Sequence, residues 1–346
     1  MTTDLGSRDE IDRASDPMKP SSALSLHLVG PGNVGQAFLR LLPDTQFRLI
    51  GVSDSTGTIH SDNRLEPLDL ADHKAASRSL TEIPSAEALE LEAALDRVRA
   101  NVVIDAMPTD VSQGSSAVPR SLRILERGAG LVFASKDTLC LGGDRILADG
   151  VRGRVGINAA LGGTGRALMT ELSALRRDAV SVALVANAST TAVIQAIEAG
   201  LSTEAGIRRA QDDGLLEPDP ELDLSGRDAA VKLVGVVRAL WGRDVGLDDV
   251  DCQPMSALDM AVVQSRVASG NTTRLVGRAS ADGDLSVAYE EMPRSSALAV
   301  PCNRVAYSYL LRSGGIRVHV GTGLGPLHTA AAVLRDVEFL AAEARQ

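Results

Sequence analysis

Residues 24–42 constrain this chain more than any other stretch. LSLHLVG alternates and then turns apolar, GPGNVG follows at once, and QAFLRLL places apolar residues at helical spacing. The order is a strand, a tight turn and a helix. Further apolar runs at FRLIGVSD, NVVIDAMP and GLVFASKD are separated by the helical patterns ALELEAALDRVRA and SLRILERGAG. Strands alternating with helices predict a parallel sheet with crossover helices. Beyond Val155 the pattern changes. VSVALVANAS, TRLVGRAS, LSVAYEEM, NRVAYSYLL and IRVHVGTG read as strands, with helices at TAVIQAIEAGL and DAAVKLVGVVRALW. That half is expected to be a mixed α+β domain whose sheet can be antiparallel.

Composition removes several function classes. At 346 residues the chain can bury a sizeable core in two domains or in one with a large insertion. A net charge of −10, 2% aromatics and no Lys/Arg-rich patch are the opposite of a nucleic-acid binder's footprint. No apolar run approaches the roughly 20 residues that span a bilayer. Cys140, Cys252 and Cys302 are far apart and odd in number, which fits a reducing, cytoplasmic compartment better than a disulfide framework. Residues 1–23 mix acids and bases without an apolar core and are expected to be a disordered leader.

The glycines of GPGNVG have separate tasks. Gly30 permits the turn, Gly32 lets a pyrophosphate approach the backbone, and Gly35 lets the helix pack closely on its strand. A phosphate would rest on the helix N-terminus. This context predicts a Rossmann-type, doubly wound dinucleotide domain. Asp54, at the end of the second strand, stands where an acid bonds the adenosine ribose hydroxyls, and no arginine follows it closely. The expected cofactor is NAD or NADP, with a lean to NAD, although Asp54 equally suits capping the next turn.

Two lysines and a run of acids carry the remaining chemistry. Lys136 follows a strand of the first domain, at the end of a parallel sheet where ligands bind, though spacing alone suits a solvated loop lysine as well. In GLLEPDPELDLSGRDAAVK, Asp228 and Lys232 stand four apart on a helix that is otherwise apolar, so they share a face. A charged pair there is expected to be desolvated and functional. Upstream, Glu217, Asp219 and Asp223 lie in a loop stiffened by two prolines. No histidine is near to suggest a transition metal, and each acid taken singly suits a turn or helix cap. An acidic pocket beside a lysine fits a substrate with an ammonium group and a reducible carbonyl.

From about Leu24 almost to its end the chain resembles the homoserine dehydrogenases. The shared elements are GPGNVG, ASKDTL, NAALGGTGR, NASTTAVIQAIEAGLS, AQDDGLLEPDPELDLSGRDAAVKL and GTGLGPLHTAAAVLRD. The resemblance implies a dinucleotide domain over residues 24–155, rejoined by residues 320–346, and a substrate and dimerisation domain over 156–319. It implies a homodimer, and the interconversion of L-aspartate 4-semialdehyde and L-homoserine with NAD(P). By the same resemblance Lys136, Lys232 and Asp228 would be catalytic, with Asp228 orienting Lys232. Glu217, Asp223, Ser189 and Ala188 would bind substrate, Glu217 taking its α-ammonium. Gly30, Gly32, Asn33, Val34, Gly35, Asp54, Ser135 and Gly323 would hold cofactor, and a monovalent cation would sit near Asn158, Leu161 and Gly163. No regulatory domain is expected after residue 346.

The departures fall around these residues. Ser135 stands for the family's asparagine, Asn158 for a glutamate that helps hold the cation, and Arg166 for a proline. Ala188, Ser189 and Thr191–Ala192 replace glycine, threonine and Asn-Tyr. Such changes around unchanged proton-handling residues allow a related 4-oxo amino acid of specialised metabolism as substrate. They also leave room for a catalytically silent dinucleotide-binding relative. An acylating aldehyde dehydrogenase is disfavoured, since no cysteine lies in a loop that could present a nucleophile.

Overall fold

The computed structural model describes residues 24–43, 45–112, 114–216, 221–283, 285–322 and 325–344. In its first half, strands β1 (Ser25–Val29), β2 (Arg48–Ser53), β3 (Thr58–His60), β4 (Ala86–Glu87), β5 (Val102–Asp105), β6 (Gly130–Phe133) and β7 (Val155–Gly156) form one sheet. Its order is β4-β3-β2-β1-β5-β6-β7. β2, β1, β5, β6 and β7 run parallel. Helices α1 (Asn33–Leu41), α2 (Pro67–Ala75), α3 (Leu91–Arg97), α4 (Ala117–Glu126) and α5 (Asp137–Ile146) lie between the strands. β1, β5 and β6 are buried along their whole length, as expected of parallel strands covered on both faces.

The sheet is not purely parallel, because β3 and β4 add an antiparallel edge beyond β2. The cause is a turn at Asp54, whose Oδ1 accepts from the backbone N–H groups of Thr56 and Gly57. That turn sends the chain back along β2 before any crossover. It is too short to leave a periodic signal.

The second half contains helices α6 (Gly165–Asp178), α7 (Ala188–Glu198), α8 (Thr203–Asp212), α9 (Glu221–Leu224), α10 (Arg227–Trp241) and α11 (Met260–Ala268). Strands β8 (Ala179–Val185), β9 (Val250–Cys252), β10 (Asn271–Ser280), β11 (Leu285–Pro293), β12 (Val305–Leu311) and β13 (Ile316–Gly321) pair in the order β13-β12-β8-β10-β11-β9. Pairing is antiparallel except between β9 and β11. One face of this sheet carries Leu184, Tyr307 and Tyr309 into the main core. On the other, Leu310, Ile316, Val318 and Val320 are 38–60% exposed, and the register puts them side by side. The last helix, α12 (Gly325–Glu343), returns to the first sheet, packing on α1, β6 and β7.

Candidate active site

Three helix N-termini meet at one place. Lys136 immediately precedes α5, Asn187 caps α7, and Asp228 lies in the first turn of α10. α5 and α10 approach closely because glycines face each other. A Cβ on Gly143 would lie 3.0 Å from the Gly235 carbonyl oxygen, and one on Gly235 would lie 2.9 Å from Leu139. Larger residues would push the helices apart and separate Lys136 from Asp228. Lys136 Nζ lies 3.2 Å from Asp228 Oδ1, while Lys232 Nζ lies 2.7 Å from Oδ2. Lys232 Nζ also donates to the Ala186 carbonyl at 2.5 Å, just past the end of β8. The pair inferred from spacing is thus a triad of charges, with a lysine from each domain on one carboxylate.

Burial alone would raise the Asp228 carboxyl, but the ammonium groups of Lys232 and Lys136 outweigh it and hold it well below the usual carboxylate range. The lysines diverge. The charge of Asp228 raises Lys136, whereas desolvation lowers Lys232 despite the same carboxylate. Two like groups pushed in opposite directions are what acid–base division of labour requires. Lys136 is the more firmly charged, and Lys232 the readier to exchange a proton.

Asp223 stands across from Asp228, and the two share one neighbour. Asn187 Nδ2 donates to Asp223 Oδ1 at 2.9 Å and to Asp228 Oδ2 at 3.2 Å. Its Oδ1 accepts from Ser189 Oγ and from the backbone N–H of Thr190. Burial, then the charge of Asp228, raises the Asp223 carboxyl. Ala188 and Ser189 open α7 beside this group. Asn187 was not singled out from the sequence, where an asparagine ahead of a helix reads as an ordinary cap. The Tyr307 hydroxyl is fully buried, near enough to Asp228 and Thr164 for both to act on it. Nothing in the periodicity of β12 distinguishes it from a core tyrosine.

The glycine turn is shaped for a phosphate. Gly30 has φ +88°, and a Cβ there would lie 2.7 Å from the backbone of Ala106 and Met107. A Cβ on Gly35 would lie 2.4 Å from the Gly30 carbonyl oxygen. At Gly32 a Cβ would meet nothing within 4 Å, so the space before α1 is open. Gly32 caps α1 without a side chain, and Asn33 and Val34 begin its first turn. Ser135, at the carboxyl end of β6, is buried with an unpartnered hydroxyl. An open helix N-terminus and an orphaned polar group at the strand ends fit a dinucleotide.

Asp54 departs from expectation. Its Oδ1 is taken by Thr56 and Gly57, and its Oδ2 lies 2.6 Å from Lys74 Nζ on α2. Burial would raise its carboxyl, but bonds from Lys74 and Thr56 leave it lowered. It is therefore a neutralised turn residue and not a free acid awaiting a ribose. The lysine twenty positions away could not be connected to it by spacing. The loop expected to hold a cation is closed by its own hydrogen bonds. Asn158 Oδ1 accepts the Arg166 N–H, the Asn158 carbonyl accepts from Gly163, and the Leu161 carbonyl accepts from Thr164. These oxygens face the loop's own donors, and no group of three or more His, Cys, Asp or Glu among the described residues could hold a metal ion. Glu217 and Gly323 lie outside the described residues.

Residues 168–337 match the homoserine dehydrogenase family model, and residues 17–117 match that of glutamate/leucine/phenylalanine/valine dehydrogenases. The homoserine dehydrogenase of Methanocaldococcus jannaschii is 24% identical over 329 residues, covering 91% of this chain and 97% of that protein. A protein of Pseudomonas canavaninivorans named NAD(+)-dependent homoserine dehydrogenase is 24% identical, covering 90% of this chain and 94% of its own. Among solved structures, a putative homoserine dehydrogenase from Archaeoglobus fulgidus superposes with a TM-score of 0.76 at 23% identity, over 91% of this chain and 98% of that one. A hyperthermophilic archaeal homoserine dehydrogenase in complex with NADPH gives 0.75 at 21%, over 92% and 98%. Residues 168–337 thus carry the homoserine dehydrogenase family's pattern, and along nine-tenths of its length the chain is similar to homoserine dehydrogenases and shares their fold.

Proposed function

We propose that this NAD(P)-dependent dehydrogenase interconverts L-aspartate 4-semialdehyde and L-homoserine. The observation that carries the reading is the Lys136–Asp228–Lys232 triad, built where the carboxyl end of the parallel sheet meets the second domain. A bound nicotinamide supplies or accepts the hydride. In the reducing direction Lys232 gives its proton to the C4 oxygen as negative charge develops there, and Asp228 keeps that ammonium aimed. Lys136, held cationic by Asp228, stabilises the same developing charge. In the oxidising direction neutral Lys232 takes the hydroxyl proton. Asp223 and Ser189 would face the amino-acid end of the substrate, with Glu217 as the ammonium anchor. Gly30, Gly32, Gly35 and Ser135 would hold the dinucleotide.

The apolar row Leu310, Ile316, Val318 and Val320 supports a homodimer, because an exposed patch of that kind marks an association surface. The free cysteines Cys140, Cys252 and Cys302 suit a reducing cytoplasm, and burial pushes the Cys140 thiol up to about 12, far from a nucleophile.

A second reading, a related 4-oxo amino acid, rests on Ala188 and Ser189, which stand for the family's glycine and threonine and open α7 beside Asp223 and Asp228. Homoserine and its chain-altered analogues, assayed for oxidation with NAD and with NADP, test the set. Turnover of homoserine supports the first reading, turnover of analogues alone the second, and dinucleotide binding without turnover a silent relative.

A further inference from the structure

Asn187 is 3% exposed, and both ends of its amide are engaged. The orientation is fixed by chemistry: the Thr190 N–H at 2.8 Å can only donate, so the atom facing it is the oxygen. The NH2 end is thereby turned onto Asp223 and Asp228. Its neighbour Ala186 takes Lys232 Nζ on its carbonyl. Two consecutive residues after β8 therefore hold both members of the Asp228–Lys232 pair, one by each charge.

The charge count gives this arrangement its purpose. Asp223 and Asp228 face Lys136 and Lys232, and the buried Asp137 also acts on Lys136. A neutral donor lets two carboxylates lie side by side without a third charge, where an acid would add repulsion and a lysine would compete with Lys232 for Oδ2. We propose that Asn187 is a positioning residue for proton transfer, whose amide sets the spacing of Asp223 and Asp228 and thereby aims Lys232 at the substrate oxygen. The role rests on the dehydrogenase reading of this site. It goes beyond a helix cap, since Asp or Ser would cap α7 equally well but could not donate to two carboxylates.

The test uses the full chain with Asn187→Ala and Asn187→Asp. In homoserine oxidation Asn187→Ala should lower kcat by about 10²-fold, the scale of a small misplacement of a catalytic group, with NAD and NADP affinities within about threefold of wild type. Asn187→Asp keeps the shape and the cap. Its kcat relative to wild type at the same pH should rise as the pH is lowered and its new carboxyl becomes protonated and able to donate to one of the two carboxylates. A kcat for Asn187→Ala within twofold of wild type, or identical pH profiles for Asn187→Asp and wild type, overturns the role. A second measurement does not depend on turnover: ¹³C NMR titration of labelled aspartates, assigned with Asp223→Asn and Asp228→Asn. Loss of the Asn187 donor should raise the Asp223 titration further, and a titration identical to wild type in Asn187→Ala overturns the inference whatever the activity. A wild-type protein that binds both dinucleotides and oxidises no homoserine sinks the substrate reading, while the aspartate titration still decides the role of Asn187.

Discussion

Replacing Lys232 by methionine keeps most of its volume and removes its charge. The ammonium makes two short contacts, 2.7 Å to Asp228 Oδ2 and 2.5 Å to the Ala186 carbonyl, and both vanish. Breaking a buried ion pair costs about 3–5 kcal/mol when the partner is left uncompensated. Asp228 keeps Lys136 at 3.2 Å and Asn187 at 3.2 Å, so the loss in unfolding free energy should fall at or below about 3 kcal/mol. The effect on turnover should be larger. A positioned proton donor contributes about 10²–10⁴-fold to the rate, or about 3–5 kcal/mol at 1.36 kcal/mol per factor of ten. Lys136 cannot substitute, because Asp228 raises its pKa and fixes its proton. The assay is steady-state oxidation of homoserine across pH, with dinucleotide affinity from calorimetry. In the wild type, oxidation needs neutral Lys232 and should rise with pH through a value below that of an ordinary lysine, since desolvation lowers it. In Lys232→Met that limb should disappear and kcat fall at least 10²-fold, while NAD(P) affinity changes only a few-fold. Unchanged turnover and an unchanged pH limb would leave the triad a structural ion pair and refute the proton-transfer role.

Three other outcomes follow from named contacts. Gly32→Val fills the open space before α1 and should abolish dinucleotide binding by calorimetry while circular dichroism stays native; retained affinity removes the cradle. The Asp54–Lys74 pair cancels the charge that would otherwise repel a 2′-phosphate, so wild-type discrimination between NAD and NADP should be small. Lys74→Ala should then favour NAD, and Asp54→Ala NADP, each by about tenfold or more as a charge-assisted bond is lost or freed. Equal affinity ratios in all three proteins would end that argument. Stability against pH should carry two opposed contributions. Asp336, buried and raised to about 7, is more easily protonated in the folded state, so its contribution falls as pH rises from about 4 to 7. His27, buried and lowered to about 4, contributes stability that is lost as pH falls from about 6.5 to 4. Asp336→Asn keeps an oxygen to accept the Asn158 N–H and removes one falling contribution, so between pH 4.5 and 6.5 its stability should climb more, or fall less, than that of wild type in denaturant titrations. Identical slopes in the two proteins contradict the assignment.

What the sequence determined by itself is whatever repeats at short range. The strand and helix periods, the left-handed Gly30 in GPGNVG and the four-residue step from Asp228 to Lys232 are local, because backbone sterics and helical geometry operate over a few residues. Those signals sufficed for the longer strands of both sheets and for one half of the charged site. The short strands β3, β4, β7 and β9 escaped, being two or three residues long. Everything that depends on two distant segments meeting was decided by tertiary structure. Lys136 joins Asp228 only because Gly143 and Gly235 let two helices approach. Lys74 neutralises Asp54 only because α2 folds across the end of β2, and Asn187 is a donor as well as a cap only because α9 and α10 bring Asp223 and Asp228 to it. A lysine's charge is written in its formula, but its proton affinity depends on the neighbours and the water that folding leaves around it. Lys136 and Lys232, identical in sequence terms, are driven apart for that reason.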